Sequence, residues 1–253
     1  MPIQLGLAQI LVEGGQPKSN LQRAVQAVKN LAKRGADLVL LPEAMNLGWA
    51  HPSCHTQAEA IPEGFTCKVL SQLAQDLQVH LVAGLVECEN GQVYNAAVLI
   101  DPGGNVILRH RKIHELDIAY EYYQRGQSLQ VVDTALGRLG VMICADAFAP
   151  GLPFSRALGT MGAEVILSPC AWAVPPGHTN EGDPYGQLWR DSYRPVCLEH
   201  KLWIAGCSNV GLIEAGPWQS HRCIGCSLVM NALGDVVWLG PYGKESQHLI
   251  PLS

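Results

Sequence analysis

Ten apolar runs of strand length punctuate this chain: IQLGLAQI, DLVLLPE, VHLVAGLVE, AAVLID, NVILRHR, LGVMICAD, AEVILSPCA, LWIAGCSN, SLVMNA and DVVWLG. Several are near-continuous in Val, Ile and Leu, with no polar face to give to water, so such strands must be covered on both sides. Ten strands exceed what one small open sheet usually holds. NAAVLIDPGGNVILRH and SLVMNALGDVVWLG each put a Gly-containing turn between two runs, as antiparallel hairpins do. Elsewhere helical sequence separates the runs, as parallel connections require. The sheets are therefore expected to be mixed.

NLQRAVQAVKNLAKRG spaces Leu21, Val25, Val28 and Leu31 along one helical face and stops at Gly35. It joins the first two runs as a βαβ unit. TCKVLSQLAQDLQ and SRALGTMG supply further helices before VHLVAG and AEVILS, and helical sequence continues around GQLWRDSYRPVCLEHK, where Pro195 is placed to break or kink it. No internal repeat, linker or low-complexity segment stands out. The Pro/Gly-rich stretch 173–186, AVPPGHTNEGDPYG, follows a strand end and is long for a connection, which makes it a candidate substrate-facing lid or a structural loop.

Bulk properties exclude several classes. At 253 residues, with 48% hydrophobic and 15% charged residues, the chain has the composition of a core-rich folded protein, expected as a single domain over residues 1–253. The formal net charge of -5, with no basic cluster beyond RHRK, lacks the footprint of a nucleic-acid binder. The start, MPIQLGLAQILVEGG, has no basic region and a short interrupted apolar stretch, and no run reaches membrane-spanning length, so a cytoplasmic protein is expected. Nine cysteines, an odd number scattered through apolar segments, read as buried thiols rather than a disulfide framework. Cys223 and Cys226 form a C-x-x-C without a second pair, a pattern that fits a strand better than a zinc site.

Three residues at the ends of apolar runs carry chemistry: Glu43 in LVLLPEA, Lys112 in RHRKIH and Cys144 in GVMICADAF. Taken singly, each has an ordinary reading, as loop carboxylate, solvated lysine and packing cysteine. Strand ends, however, are where α/β folds collect ligands and chemistry. A turn after Cys144 would lift its thiol above the sheet. A carboxylate at an apolar sheet edge loses hydration, which suits it to proton transfer. His110 and His114 flank Lys112 and make a polar cluster there.

Gln9 in GLAQI, Asn20, GADLVLLPE, YNAAVLIDPGGNVILRHRK, GRLGVMICADAF, SPCAW, CSNVG and the late G-C-S occur in one order along nearly the whole chain. This ordered set resembles the nitrilase superfamily of carbon-nitrogen hydrolases, on its amidase-like branch. The resemblance implies an α/β fold, a four-layer αββα sandwich of two mixed sheets flanked by helices. It also implies a cofactor-free and metal-free enzyme acting on a small amide or nitrile, and a homodimer or higher homo-oligomer. Cys144 would be the nucleophile, Glu43 the general base and Lys112 the cation beside the tetrahedral intermediate, helped by the Ala145 N–H. A second glutamate after the lysine would be Glu115 or Glu121. Trp172 stands where the family places a pocket wall, with Tyr185, Trp189 and Glu199 as possible neighbours. Asp146, Glu181 and Asp183 could favour a cationic substrate group. Ala145-Asp146 departs from the family's better-known sequences after the cysteine, which leaves the amide unnamed and makes nitrile hydrolysis the lesser branch. The alternatives are an N-acyltransferase, a Cys-His hydrolase using His110, His114 or His221, and a non-catalytic relative.

Overall fold

Every one of the ten apolar runs becomes a strand in the computed structural model, which describes residues 2–253. In chain order the first part comprises β1 (Ile3–Gln9), α1 (Pro17–Lys33), β2 (Leu38–Leu40), α2 (Cys54–Gln57), α3 (Phe65–Leu77), β3 (His80–Glu89), β4 (Gln92–Ile100) and β5 (Val106–Arg111). The second part comprises β6 (Val131–Thr134), β7 (Gly137–Val141), α4 (Pro153–Thr160), β8 (Val165–Cys170), β9 (Ala173–Val174), α5 (Gln187–His200) and β10 (Trp203–Ser208). It ends with β11 (Val210–Leu212), β12 (Arg222–Ile224), β13 (Leu228–Met230), β14 (Val236–Leu239) and β15 (Ser246–Leu252).

Two six-stranded mixed sheets result, in the orders β15-β1-β2-β3-β4-β5 and β14-β13-β10-β8-β7-β6, with β11-β12-β9 as a small third sheet. Alternate strand residues face opposite ways, and the buried residues sort accordingly into layers. Leu5, Leu7, Leu40 and Val82 of the first sheet meet Leu139, Val141 and Leu167 of the second in a core between the sheets. The outer face of the first sheet packs on Val28 and Leu31 of α1 and Leu70 of α3. The outer face of the second packs on Leu158 of α4 and on Trp189, Tyr193 and Val196 of α5. These layers form a four-layer αββα sandwich, with its strands covered on both sides as their continuous apolar sequence requires.

Both large sheets use one pairing scheme. From β15, successive neighbours pair antiparallel, parallel, parallel, antiparallel and antiparallel. From β6 the succession is the same. The chain therefore contains an internal structural repeat, and its trace in sequence is GADLVLLPEA (35–44) against GAEVILSPCA (162–171). Both copies open on a glycine in the left-handed region, Gly35 at φ 96° and Gly162 at φ 89°, immediately after a helix. The hairpins keep a likeness too, AVLIDPGGNVI (97–107) against SLVMNALGDVV (227–237), but the helices between the strands have diverged, α1 with 17 residues and α4 with 8.

Five further strands, β6, β9, β11, β12 and β15, were not expected from apolar runs. β15 (SQHLIPL) is half polar and carries Pro251, which an edge strand tolerates; it pairs with β1 alone. Pro195 does not end α5, which runs through it from Gln187 to His200. Burial of Trp189, Tyr193, Val196 and Cys197 on either side holds that helix together against the missing N–H.

Candidate active site

Glu43, Lys112 and Cys144 leave the ends of β2, β5 and β7, and the two sheets bring these ends together. Beyond β2 the chain turns sharply, with Ala44 at φ 46°. The neighbouring β3 approaches so closely that a Cβ on Gly84 would lie 2.5 Å from Glu43 Cα. The Glu43 N–H donates to Cys170 O at the end of β8, 3.2 Å away, and so ties the carboxylate's backbone to the opposite sheet. Glu43 Oε1 accepts from Lys112 Nζ at 2.8 Å and from Asn95 Nδ2 at 2.7 Å, while Oε2 has no hydrogen-bond partner.

Lys112 is held at both ends of its residue. Its N–H donates to Asn95 O on β4 at 2.8 Å, and its ammonium lies between Glu43 and Glu115, whose Oε2 is 3.3 Å away. Both side chains in the Lys112–Glu43 pair are 1% exposed. Burial alone would push the lysine down, but Glu115 and Glu43 outweigh it and hold the ammonium well above the usual lysine range. Burial raises Glu115 to about 7 in spite of Lys112 beside it.

Cys144 sits at φ 42°, unusual for any residue other than glycine, at the first position of a short 3-10 turn over Cys144–Phe148. Its N–H donates to Ser168 Oγ at 3.2 Å. It is partly exposed between buried neighbours. Burial pushes the thiol well above its usual range, helped by Cys170 and Glu43 and opposed by Lys112. A thiol raised in this way attacks only after a base has taken its proton. The N–H of Ala145 belongs to the first turn of this 3-10 segment, where backbone N–H groups have no intrahelical acceptor.

The two candidates for the second glutamate separate clearly. Glu115 is buried against Lys112, whereas Glu121 is exposed at the surface. Asp146 corrects the expectation of a substrate-facing acid. Oδ1 accepts from the N–H groups of Ile113 (3.0 Å) and His114 (2.8 Å), and Oδ2 from Ile143 (3.0 Å), with His110 Nε2 at 2.8 Å. Burial opposes its charge, yet these bonds, led by that from His110, hold Asp146 below the usual carboxylate range. Completely buried, with both oxygens engaged, it knots the Lys112 loop to the Cys144 turn instead of meeting a ligand.

Glu181 and Asp183 lie exposed on the 173–186 stretch while Asp146 is completely buried, so the three do not converge into a cation site; Glu199, expected near Trp172, pairs with Arg156 on α4 at 2.9 Å. Trp172 is buried and stacks on Trp189, ring centroids 4.4 Å apart, with Tyr185 tilted against it at 6.1 Å. Phe148 continues this aromatic row from Trp189 to His114. Burial pushes the Tyr185 hydroxyl up, and Tyr185 packs against the same apolar cluster, containing Trp172, that Cys144 packs against. Among the described residues, no histidine hydrogen-bonds to the Cys144 side chain; His110 is engaged by Asp146 and His221 stacks on Trp218.

Asn95 was missed in the sequence, although a lone amide inside the run YNAAVLI was a visible signal. Cys170 was missed because its neighbourhood depends on strand pairing.

A thiol, a buried Lys–Glu pair and a second buried glutamate thus gather at the strand ends of an αββα sandwich. The sequence model of carbon-nitrogen hydrolases matches residues 5–250, and the chain belongs to that family. It is 35% identical over 235 residues to a nitrilase of Pyrococcus abyssi, covering 91% of this chain and 82% of that one. It is 29% identical to omega-amidase NIT2-A of Xenopus laevis, covering 92% of this chain and 83% of that one. The crystal structure of Saccharomyces cerevisiae Nit3, a member of the nitrilase superfamily, superposes with a TM-score of 0.83 at 25% identity, over 99% of this chain and 89% of that one. Among the described residues, no helix is long and apolar enough to cross a membrane, and no cluster of three or more His, Cys, Asp or Glu side chains could hold a metal.

Proposed function

We propose that this protein hydrolyses the C–N bond of a small carboxamide through a thioester on Cys144. Glu43 takes the thiol proton, and the sulfur attacks the amide carbon. The developing oxyanion is met by the Lys112 ammonium and the Ala145 N–H, groups fixed before the substrate arrives. Glu43 then returns the proton to the departing nitrogen, and ammonia or an amine leaves. Water, deprotonated by the same Glu43, attacks the thioester, and a carboxylic acid is released with the thiol restored. Glu115 keeps Lys112 oriented and charged. Trp172 and Tyr185 border the substrate's side of the thiol.

The observation that carries this reading is the buried Lys112–Glu43 pair at 2.8 Å beside a partly exposed cysteine on a left-handed turn. A buried ion pair adds little to stability on balance, whereas the three groups together supply nucleophile, base and anion stabiliser. A panel of small amides and nitriles scored for ammonia release tests it. Cys144→Ala should abolish release while leaving the melting temperature close to that of the parent. A folded Cys144→Ala protein with full activity would overturn the assignment. The panel also separates amide from nitrile hydrolysis, which the Pyrococcus relative keeps open. Added amine acceptors reveal any acyl transfer.

A further inference from the structure

Directly beside Cys144 lies a second thiol that the proposed mechanism does not use. β7 and β8 run parallel, with Leu139 opposite Val165 and Val141 opposite Leu167. Three residues beyond that last pair, each chain segment reaches a cysteine, Cys144 on one and Cys170 on the other. The ladder ends at Val141 and Leu167, and Cys144 opens a 3-10 turn whose N–H still reaches Ser168 of β8; a disulfide asks for a Cα separation of about 4.4–6.8 Å. Alternation places Met142, Ile166 and Cys170 on the helix-covered face of this sheet, and Cys144 packs into the same cluster.

Ser168 bridges the two residues. Its Oγ accepts the Cys144 N–H at 3.2 Å and lies 3.4 Å from Cys170 Sγ. Cys170 is among the groups that push the Cys144 thiol up. The remaining seven cysteines are likewise free, but none occupies this register.

We propose that Cys144 is an oxidation site for hydroperoxides and that Cys170 is its resolving thiol, the two closing into a disulfide. Glu43 takes the Cys144 proton as it does for hydrolysis, and the sulfur attacks one peroxide oxygen. The O–O bond breaks, and the departing oxygen leaves as water, or as an alcohol from an organic peroxide, with that proton. Cys144 is then a sulfenic acid. The Cys170 sulfur attacks the Cys144 sulfur and the S–O bond breaks, so that hydroxide leaves as water with the Cys170 proton. Two electrons pass from the thiol pair to the peroxide, and a dithiol reductant reverses the change. The disulfide protects the nucleophile from irreversible over-oxidation.

This proposal rests on the reading of Cys144 as the accessible thiol of the site, but it is read by mass rather than by turnover. The purified protein is treated with hydrogen peroxide, free thiols are blocked, and the peptides are mapped. The expected product is the Cys144 peptide joined to the Cys170 peptide, with ammonia release falling as the cross-link forms and returning on addition of dithiothreitol. In Cys170→Ala, scored against its own untreated activity, loss should not be regained and Cys144 should carry two added oxygens. Cys144 oxidised to sulfinic acid in the parent without any cross-link, Cys144 left unmodified, or Cys144 joined to another cysteine would each overturn the proposal. If the cross-link fails to form while Cys144→Ala still abolishes ammonia release, only the redox proposal falls. If the cross-link forms but Cys144→Ala retains activity, only the hydrolytic reading falls.

Discussion

Lys112 is an ammonium sealed between two carboxylates, and its surroundings make separable predictions. Lys112→Met removes the cation from beside the oxyanion position, and ammonia release should fall about 10²–10³-fold. Steady-state rates check this, with circular dichroism confirming the fold. Glu115 makes a pH prediction. Its carboxyl has an ordinary value of 4.5 and rises to about 7 in the folded protein. Between those values the unfolded chain has released a proton that the folded chain retains. The stability contributed by the neutral Glu115 is thus lost as pH rises through that window, and the loss levels off above about 7. Urea unfolding at pH 4.5 and pH 8 should show the Glu115→Gln variant gaining on the parent by on the order of 2 kcal/mol. A gap that does not change with pH would mean that Glu115 keeps an ordinary carboxyl's affinity. At this scale the sequence was informative wherever a residue ended an apolar run, as Glu43, Lys112 and Cys144 do. It could not choose between Glu115 and Glu121, since only the folded loop determines which of them turns inward.

Strands and loops deliver these residues, and two positions show how tightly. Gly84 on β3 leaves no room for a methyl group against Glu43 Cα at 2.5 Å and Pro42 O at 2.6 Å. Gly84→Ala should displace the Glu43 loop, destabilise the protein by about 1–3 kcal/mol and lower kcat about 10²-fold. Denaturant midpoints and turnover measured on the same preparation check both. Asp146 ties the segment after β5 to the turn after β7 through four hydrogen-bonded partners. Asp146→Ala strands three backbone N–H groups and His110 in a dry interior, and the expected loss is about 3 kcal/mol. Unchanged unfolding in Asp146→Ala would count against a knotting role. The sequence predicted the strands because continuous apolar runs need two covers. It misread Asp146 because a carboxylate two residues after Cys144 looks the same on paper whether it faces ligand or backbone.

The core between the sheets draws Leu5, Leu7, Leu40 and Val82 from the first part of the chain and Leu139, Val141 and Leu167 from the second. We propose on this ground that residues 1–253 fold as one domain. Either half alone would expose a sheet face meant for its partner. Fragments 1–128 and 129–253, produced separately, should aggregate or bind a hydrophobic dye, whereas mixing them during refolding should recover soluble material. A fragment that melts cooperatively by itself would contradict this. The repeated pairing scheme was hidden from sequence reading because the helices between the strands have diverged, α1 with 17 residues and α4 with 8, although 35–44 and 162–171 retain a clear likeness.

That likeness sets Glu43 and Cys170 at the same place in the two copies, one residue after Pro42 and Pro169. The backbone is thus symmetric where the chemistry is not: equivalent strand ends carry an acid in one copy and a thiol in the other, so the repeat delivers two different side chains to one place from two equivalent directions.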